Sequence, residues 1–215
     1  MNSIKVWDGV TRLFHWALVI CIFGAWVTIE NRWITAHEIF GLVLLGLVIF
    51  RICWGFIGST TARFRHFVTK PSTAINYLKA SLRSESDNFT GHNPSGGWMV
   101  LALLAILLFQ SLSGLYANND LGFTGSLADT ISKEFSDQVT QWHAISFNFI
   151  MLAIWLHLVA VFFYVLVKKD NLVKAMLTGK KNQNNIGHHQ DLQFSHPIKA
   201  VALALFIAMP IYLFL

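Results

Sequence analysis

The sequence predicts an all-helical integral membrane protein: an antiparallel four-helix transmembrane bundle with a fifth transmembrane helix at its C-terminus. Three observations carry that reading. Of 215 residues, 54% are hydrophobic and 13% charged, and the mean hydropathy is +0.52, too apolar for an ordinary soluble fold. Five apolar runs, near residues 13–30, 37–58, 97–116, 140–167 and 197–215, are long enough at about 1.5 Å per residue to cross roughly 30 Å of hydrocarbon. Each run is continuous rather than alternating, and lipid offers no partner to an open sheet edge, so the runs are helices.

The first run begins at Arg12 and His15 and lacks a small-residue cleavage site, so it is expected to stay as a helix rather than act as a signal peptide. A short outer loop around Glu30 to Ala36 makes the second helix its antiparallel neighbour. The polar inner loop over 59–97 contains Pro71 to Leu82, where Ile75, Tyr77, Leu78 and Leu82 are spaced as in a short interfacial helix. Asp120, Asp129, Glu134 and Asp137 give the next outer loop a mildly acidic character, suited to a solvated loop or to docking a basic partner. Residues 168–196 include Asn182, Gln183, Asn184, Asn185, His188 and His189 and read as a flexible connector. The expected organisation is a transmembrane domain over 1–170, a cytoplasmic connector over 171–196 and an additional helix over 197–215.

Charge orients the bundle. Fourteen cations fall on one side: Lys5, Arg12, Arg51, Arg63, Arg65, Lys70, Lys79, Arg83, Lys168, Lys169, Lys174, Lys180, Lys181 and Lys199. Arg32 and Lys133 alone fall on the other. The positive-inside rule makes the crowded side cytoplasmic, with the N-terminus inside and, after five crossings, the C-terminus in the periplasm of a bacterial inner membrane. The pI of about 9.4 therefore reflects topology and anionic lipid headgroups of the bilayer, and needs no nucleic acid.

Nine histidines are present. His66, His92, His188, His189 and His196 fall in or beside inner loops, whereas His15, His37, His143 and His157 fall in apolar runs, where a polar side chain is costly and functional by default. His143 and His157 lie fourteen residues apart, within roughly 40° of one helix face and about 21 Å apart along it. His15, at the inner end of the first helix, pairs with His157, which lies deeper unless the first helix extends back toward Trp7 or the fourth past Lys168, and His37, at the outer end of the second, pairs with His143. Two imidazoles at each of two levels suit six-coordinate haem iron, whereas zinc wants three or four ligands at one point. Core histidines hydrogen-bonded across helices, or a histidine-lined metal or proton transporter, are the other readings of the same residues.

Neighbouring residues suit a flat macrocycle. Gly41, one turn after His37, and Gly114 near the outer end of the third helix remove side chains at the outer level. Arg12 and Arg51 suit carboxylate groups at the inner level, in the forked geometry of a guanidinium. Cys21 and Cys53 lie inside helices and no Cys-x-x-Cys-His occurs, so any haem is non-covalent.

Val6, Trp7, Asp8, Arg12, Phe14, His15 and Trp16, then His37 with Gly41, then Arg51, Trp54, Gly55 and Gly58, then Gly91, His92, Asn93, Pro94, Gly96, Gly97 and Trp98, and finally His143 and His157 together form a specific pattern. Over residues 5 to about 170 the chain resembles the prokaryotic cytochrome b561 family, which includes the b-type cytochrome subunits of nickel-iron hydrogenases. The resemblance implies a four-helix core with two b-type haems, axial ligands His15, His37, His143 and His157, and electron exchange between membrane quinone and a redox partner such as a cytochrome or hydrogenase. A self-sufficient superoxide:quinone oxidoreductase is the alternative within that class. The loop between the first two helices is shorter than in the superoxide-scavenging members, and the fifth helix is an addition. The quinone site is sought around His92 and Asn93, whose His-Asn-Pro turn also reads as helix-start punctuation.

Overall fold

The computed structural model describes residues 3–81, 89–119, 123–182 and 191–212. Leu82, Arg83, Asp120, Gln183, Asn184, Asn185, His188, His189 and the last three residues of the expected fifth helix lie outside the described residues. In chain order the elements are β1 (Ser3–Lys5), α1 (Gly9–Glu30), α2 (Ile34–Ile57), α3 (Phe64–Phe67), α4 (Pro71–Ser81), α5 (Pro94–Leu115), α6 (Lys133–Leu166), α7 (Leu172–Thr178), β2 (Lys180–Asn182) and α8 (Pro197–Tyr212).

Helices α1, α2, α5 and α6 are long and apolar enough to cross a membrane. α8 has 16 described residues, and the last three residues of the expected fifth helix lie outside the described residues. The expected interfacial helix is present as α4, with Ile75 and Leu78 more than half exposed. The connector expected to be flexible instead contains α7 and β2 and is tied to the N-terminus, because β2 pairs antiparallel with β1 through Ser3↔Asn182, Ile4↔Lys181 and Lys5↔Lys180.

Local chemistry sets the helix ends. Asp8 caps α1, its Oδ1 accepting from the Thr11 amide at 2.5 Å, where a carboxylate also meets the positive end of the helix dipole. Asn93 caps α5: its Oδ1 accepts from the Gly96 amide (2.7 Å) and the Ser95 hydroxyl (3.0 Å), and Pro94 takes the first helical position, where no amide is needed. The α1–α2 turn is tighter than expected because Arg32 adopts the left-handed conformation (φ 59). Trp33 N then bonds Thr28 O (2.8 Å) and Arg32 N bonds Ile29 O (3.0 Å), the paired closure of a Schellman motif, normally built on glycine.

The chain divides into two compact units. The first comprises Met1–Leu13, Ile52–Ala102 and Ala153–Ala200. At its centre Val6 and Trp7 pack on Ala175 and Met176, and Gly179 (φ 80) turns the chain out of α7 so that its carbonyl accepts from both Val6 N (2.7 Å) and Trp7 N (3.1 Å). The second comprises Phe14–Arg51, Leu103–Leu152 and Val201–Leu215. There Ile207 and Ile211 of α8 fill the space beside Gly46 of α2. The apolar side chains left facing outward, such as Phe149 and Phe206, are what a lipid solvent requires.

α6 is distinct among the spanning helices. Only 6% of its most apolar 18 residues are buried, against 39% for α2. Its buried residues, Ser136, Val139, Ser146 and Ile150, share one stripe with His143, His157 and Tyr164, which continue at seven-residue steps from Ile150 and so drift by only about 20° per step.

Candidate cofactor site

In the second unit, α1, α2, α5 and α6 each contribute to one constellation. His37 Nδ1 lies 2.8 Å from the Ala25 carbonyl of α1. His143 Nδ1 lies 2.9 Å from the Gln110 carbonyl and 3.1 Å from the Ser113 hydroxyl, both on α5. A carbonyl can only accept, so each Nδ1 carries its ring's proton and each Nε2 keeps a lone pair. Ser113 donates its own proton to the Gln110 carbonyl (3.0 Å), which leaves its oxygen lone pairs for His143. Two backbone carbonyls thus fix two tautomers in the form a metal ligand needs.

The ring centroids of His37 and His143 stand 6.2 Å apart with their planes at 89°. Two metal–imidazole bonds of roughly 2 Å placed end to end, with half a ring on either side, span about 6 Å. The pair therefore has the spacing of two axial ligands on a single metal, and the donor set fits a b-type haem. Gln110 Nε2 lies 3.1 Å from His143 Nε2, and its Oε1 accepts from Ser146 Oγ, so the carboxamide has a fixed sense and donates to the lone pair that it would have to yield to a metal at His143.

The two glycines sought here have different surroundings. A Cβ on Gly114 would come within 3.1 Å of His143 Cε1, so that glycine makes room for the imidazole ring itself. A Cβ on Gly41 would meet nothing within 4 Å, leaving open space one turn from His37.

The other two histidines belong to different units, His15 to the second and His157 to the first. Both are half-buried. His15 is edge-on to Trp16, with centroids 5.1 Å apart. In the first unit Arg12 donates from Nη1 to the Leu177 carbonyl at 2.5 Å, while its Nε is buried without a hydrogen-bond partner among the described residues. That N–H is what a carboxylate would take. Arg51, in the second unit, is only 3% exposed, enclosed by protein; a guanidinium so buried needs anionic or carbonyl acceptors.

The first unit also contains a partly open cavity of about 130 Å³, lined by Thr60, Thr61, His66, Phe67 and Thr69 from one segment and by Phe89 to His92 and Pro94 from another. His92 forms part of it, held between the rings of Trp7 (4.8 Å) and Phe67 (4.5 Å). The hydroxyls of Thr60, Thr61, Thr69 and Thr90 and the imidazole of His66 complete its polar lining. Partial burial, then the Arg65 and Arg63 charges, hold the His66 pKa below its ordinary value. Beyond the cavity, Asn93 Nδ2 donates to Tyr164 Oη (2.7 Å), which lies 2.6 Å from Tyr77 Oη. Because the Asn93 oxygen is taken up by the α5 cap, the amide sense is fixed.

Sequence reasoning missed Gln110, Ser113 and Ser146. Gln110 and Ser113 did leave a signal, as polar residues inside an apolar run, whereas nothing in the sequence marks the Ala25 carbonyl. A family model described as prokaryotic cytochrome b561 matches residues 6–179. No curated relative matches the chain.

Proposed function

The chain belongs to the prokaryotic cytochrome b561 family, transmembrane b-type cytochromes of bacterial membranes that act in electron transfer, and on that premise we propose that it holds two non-covalent haems and carries electrons between the quinone pool and a redox partner. The observation that carries the proposal is the His37–His143 pair, with both Nδ1 protons committed to carbonyls and 6.2 Å between ring centres.

His37 and His143 would hold the outer haem, with Gly41 leaving space beside His37 and Gly114 making room for the His143 ring. His15 and His157 would hold the inner haem, a pairing supported by the fourteen-residue step on α6 and by the family pattern. Arg12 and Arg51 neutralise propionates, supported by the orphaned Nε of the one and the burial of the other. Bound there, haem iron supplies a one-electron couple at two depths.

The Ala25 and Gln110 carbonyls and the Ser113 hydroxyl hold the outer imidazoles in the ligating tautomer and raise their basicity. Lipid around α6 keeps water from the ligand stripe. In the cavity, the Thr69 and Thr90 hydroxyls and His66 and His92 are donors suited to quinone oxygens, since Thr60 and Thr61 already donate to the Gln193 and Val6 carbonyls, and Phe67 and Phe89 flank them with aromatic surface. The N-terminus is cytoplasmic and the C-terminus periplasmic, supported by the distribution of Lys and Arg. The redox partner is a cytochrome, a hydrogenase or a similar protein.

Haem stoichiometry and the reduced-minus-oxidised spectrum of the purified protein test the proposal. Two haems per chain are expected, with His37 or His143 variants lacking one centre and His15 or His157 variants lacking the other. Fewer than one haem in the wild type overturns it.

A further inference from the structure

The region matched by the family ends at Gly179, yet the next described residues reach back to the cavity. Lys181, on β2, is 5% exposed. Its Nζ pairs with Asp170 at 2.6 Å, and the side chains of the two are 3% and 9% exposed. The same Nζ donates to the Phe89 carbonyl at 3.3 Å, and Phe89 belongs to one of the two segments that line the cavity.

Residues 191–196 hold the other segment. Thr60 N donates to Gln193 O (2.9 Å), Gln193 N donates to Thr60 Oγ1 (3.0 Å), and Ser195 N donates to Ser59 Oγ (3.0 Å). Lys5, paired with Lys180 across the small sheet, places its ammonium 4.6 Å from the Phe194 ring centroid. Each lining segment is thus tethered at its edge by a residue outside the family-matched region.

A buried ion pair is an expensive tether. Desolvating both charges offsets most of their attraction, and apolar residues of the same size often serve stability as well or better. What an ion pair adds is definition: the Lys181 ammonium must satisfy Asp170 and Phe89 O at once, which fixes where the 89–94 segment sits.

We propose that Lys181, held by Asp170, is a positioning residue that sets the width of the cavity and thereby discriminates among planar quinone headgroups by size. The choice of ligand class rests on the quinone reading above, whereas the tether itself does not. Residues 180–182 and 191–196 are then a specificity element added to the family core.

The test uses the haem-loaded full chain with Lys181→Met/Asp170→Asn, which removes both charges and leaves neither unpaired, and Lys181→Arg, which keeps charge and donor. Calorimetric binding of a short-chain benzoquinone and a short-chain naphthoquinone is read beside amide exchange over residues 89–94. In the double variant, benzoquinone binding is expected to weaken at least five-fold and naphthoquinone binding much less, with exchange at 89–94 at least ten-fold faster. Lys181→Arg is expected to stay near wild type in both. General loosening would weaken both quinones alike, so an unchanged binding ratio overturns the specificity role, and unchanged exchange in a folded double variant overturns the tether. If the wild type binds neither quinone, the quinone reading fails and the specificity role with it, and exchange alone decides the tether.

Discussion

The imidazole of His37 stands perpendicular to that of His143, and each is fixed by a carbonyl from a different helix, Ala25 on α1 and Gln110 on α5. Neither ring can rotate without breaking its own Nδ1 bond, so the crossed arrangement is built into the helix packing.

Were haem iron held between these two rings, their crossed planes would leave its d orbitals nearly degenerate. The ferric protein is therefore expected to show a low-spin signal with an unusually large maximal g value in low-temperature EPR. It should vanish in His37→Ala and His143→Ala. Its persistence in either would break the pairing.

Ser113 shares the His143 Nδ1 proton with a carbonyl. A hydrogen bond there makes the imidazole a better donor and favours ferric iron, so Ser113→Ala should raise the outer midpoint potential. One neutral hydrogen bond is worth about 0.5–1.5 kcal/mol, which for a one-electron couple corresponds to about 20–65 mV. Redox titration is expected to find the inner centre unmoved.

Two left-handed residues call for opposite substitutions. Gly179→Ala meets the Trp7 carbonyl at 2.8 Å in addition to its φ of 80, and should cost ~1–3 kcal/mol. Arg32→Gly relieves a side chain from the left-handed position and should gain ~1 kcal/mol. Thermal unfolding in detergent reads both as shifts of opposite sign.

His66 should titrate below 6.5, because burial and then Arg65 and Arg63 disfavour its charged form. The sign follows directly: the unfolded chain takes up the proton first, so this group's contribution to stability is lost as pH falls from about 6.5 through the folded value. Arg65→Ala should move the NMR titration of His66 back upward.

Much of the fold was legible because lipid makes hydropathy decisive: four spanning helices and α4 follow from the apolar runs. The α6 stripe was legible too, since a fourteen-residue step depends on helix geometry alone. What stayed hidden depended on contacts distant in sequence. Asn182 looks like linker composition until Ser3 pairs with it, and Lys181 looks like one more topology charge until Asp170 and Phe89 bury it.

The pairing of β1 with β2 carries a consequence for biosynthesis. The strand that begins the described chain has no partner until residues 180–182 leave the ribosome, by which time all four spanning helices have been made. α1 must therefore enter the bilayer with its leading segment loose, and the chain fastens that segment last. The cavity, whose Thr61 hydroxyl bonds the Val6 carbonyl just beyond that strand, can take its final form only after this closing step. A nascent chain halted before residue 180 should thus insert normally yet leave residues 3–7 open to protease, a vulnerability that disappears once residues 180–182 have emerged.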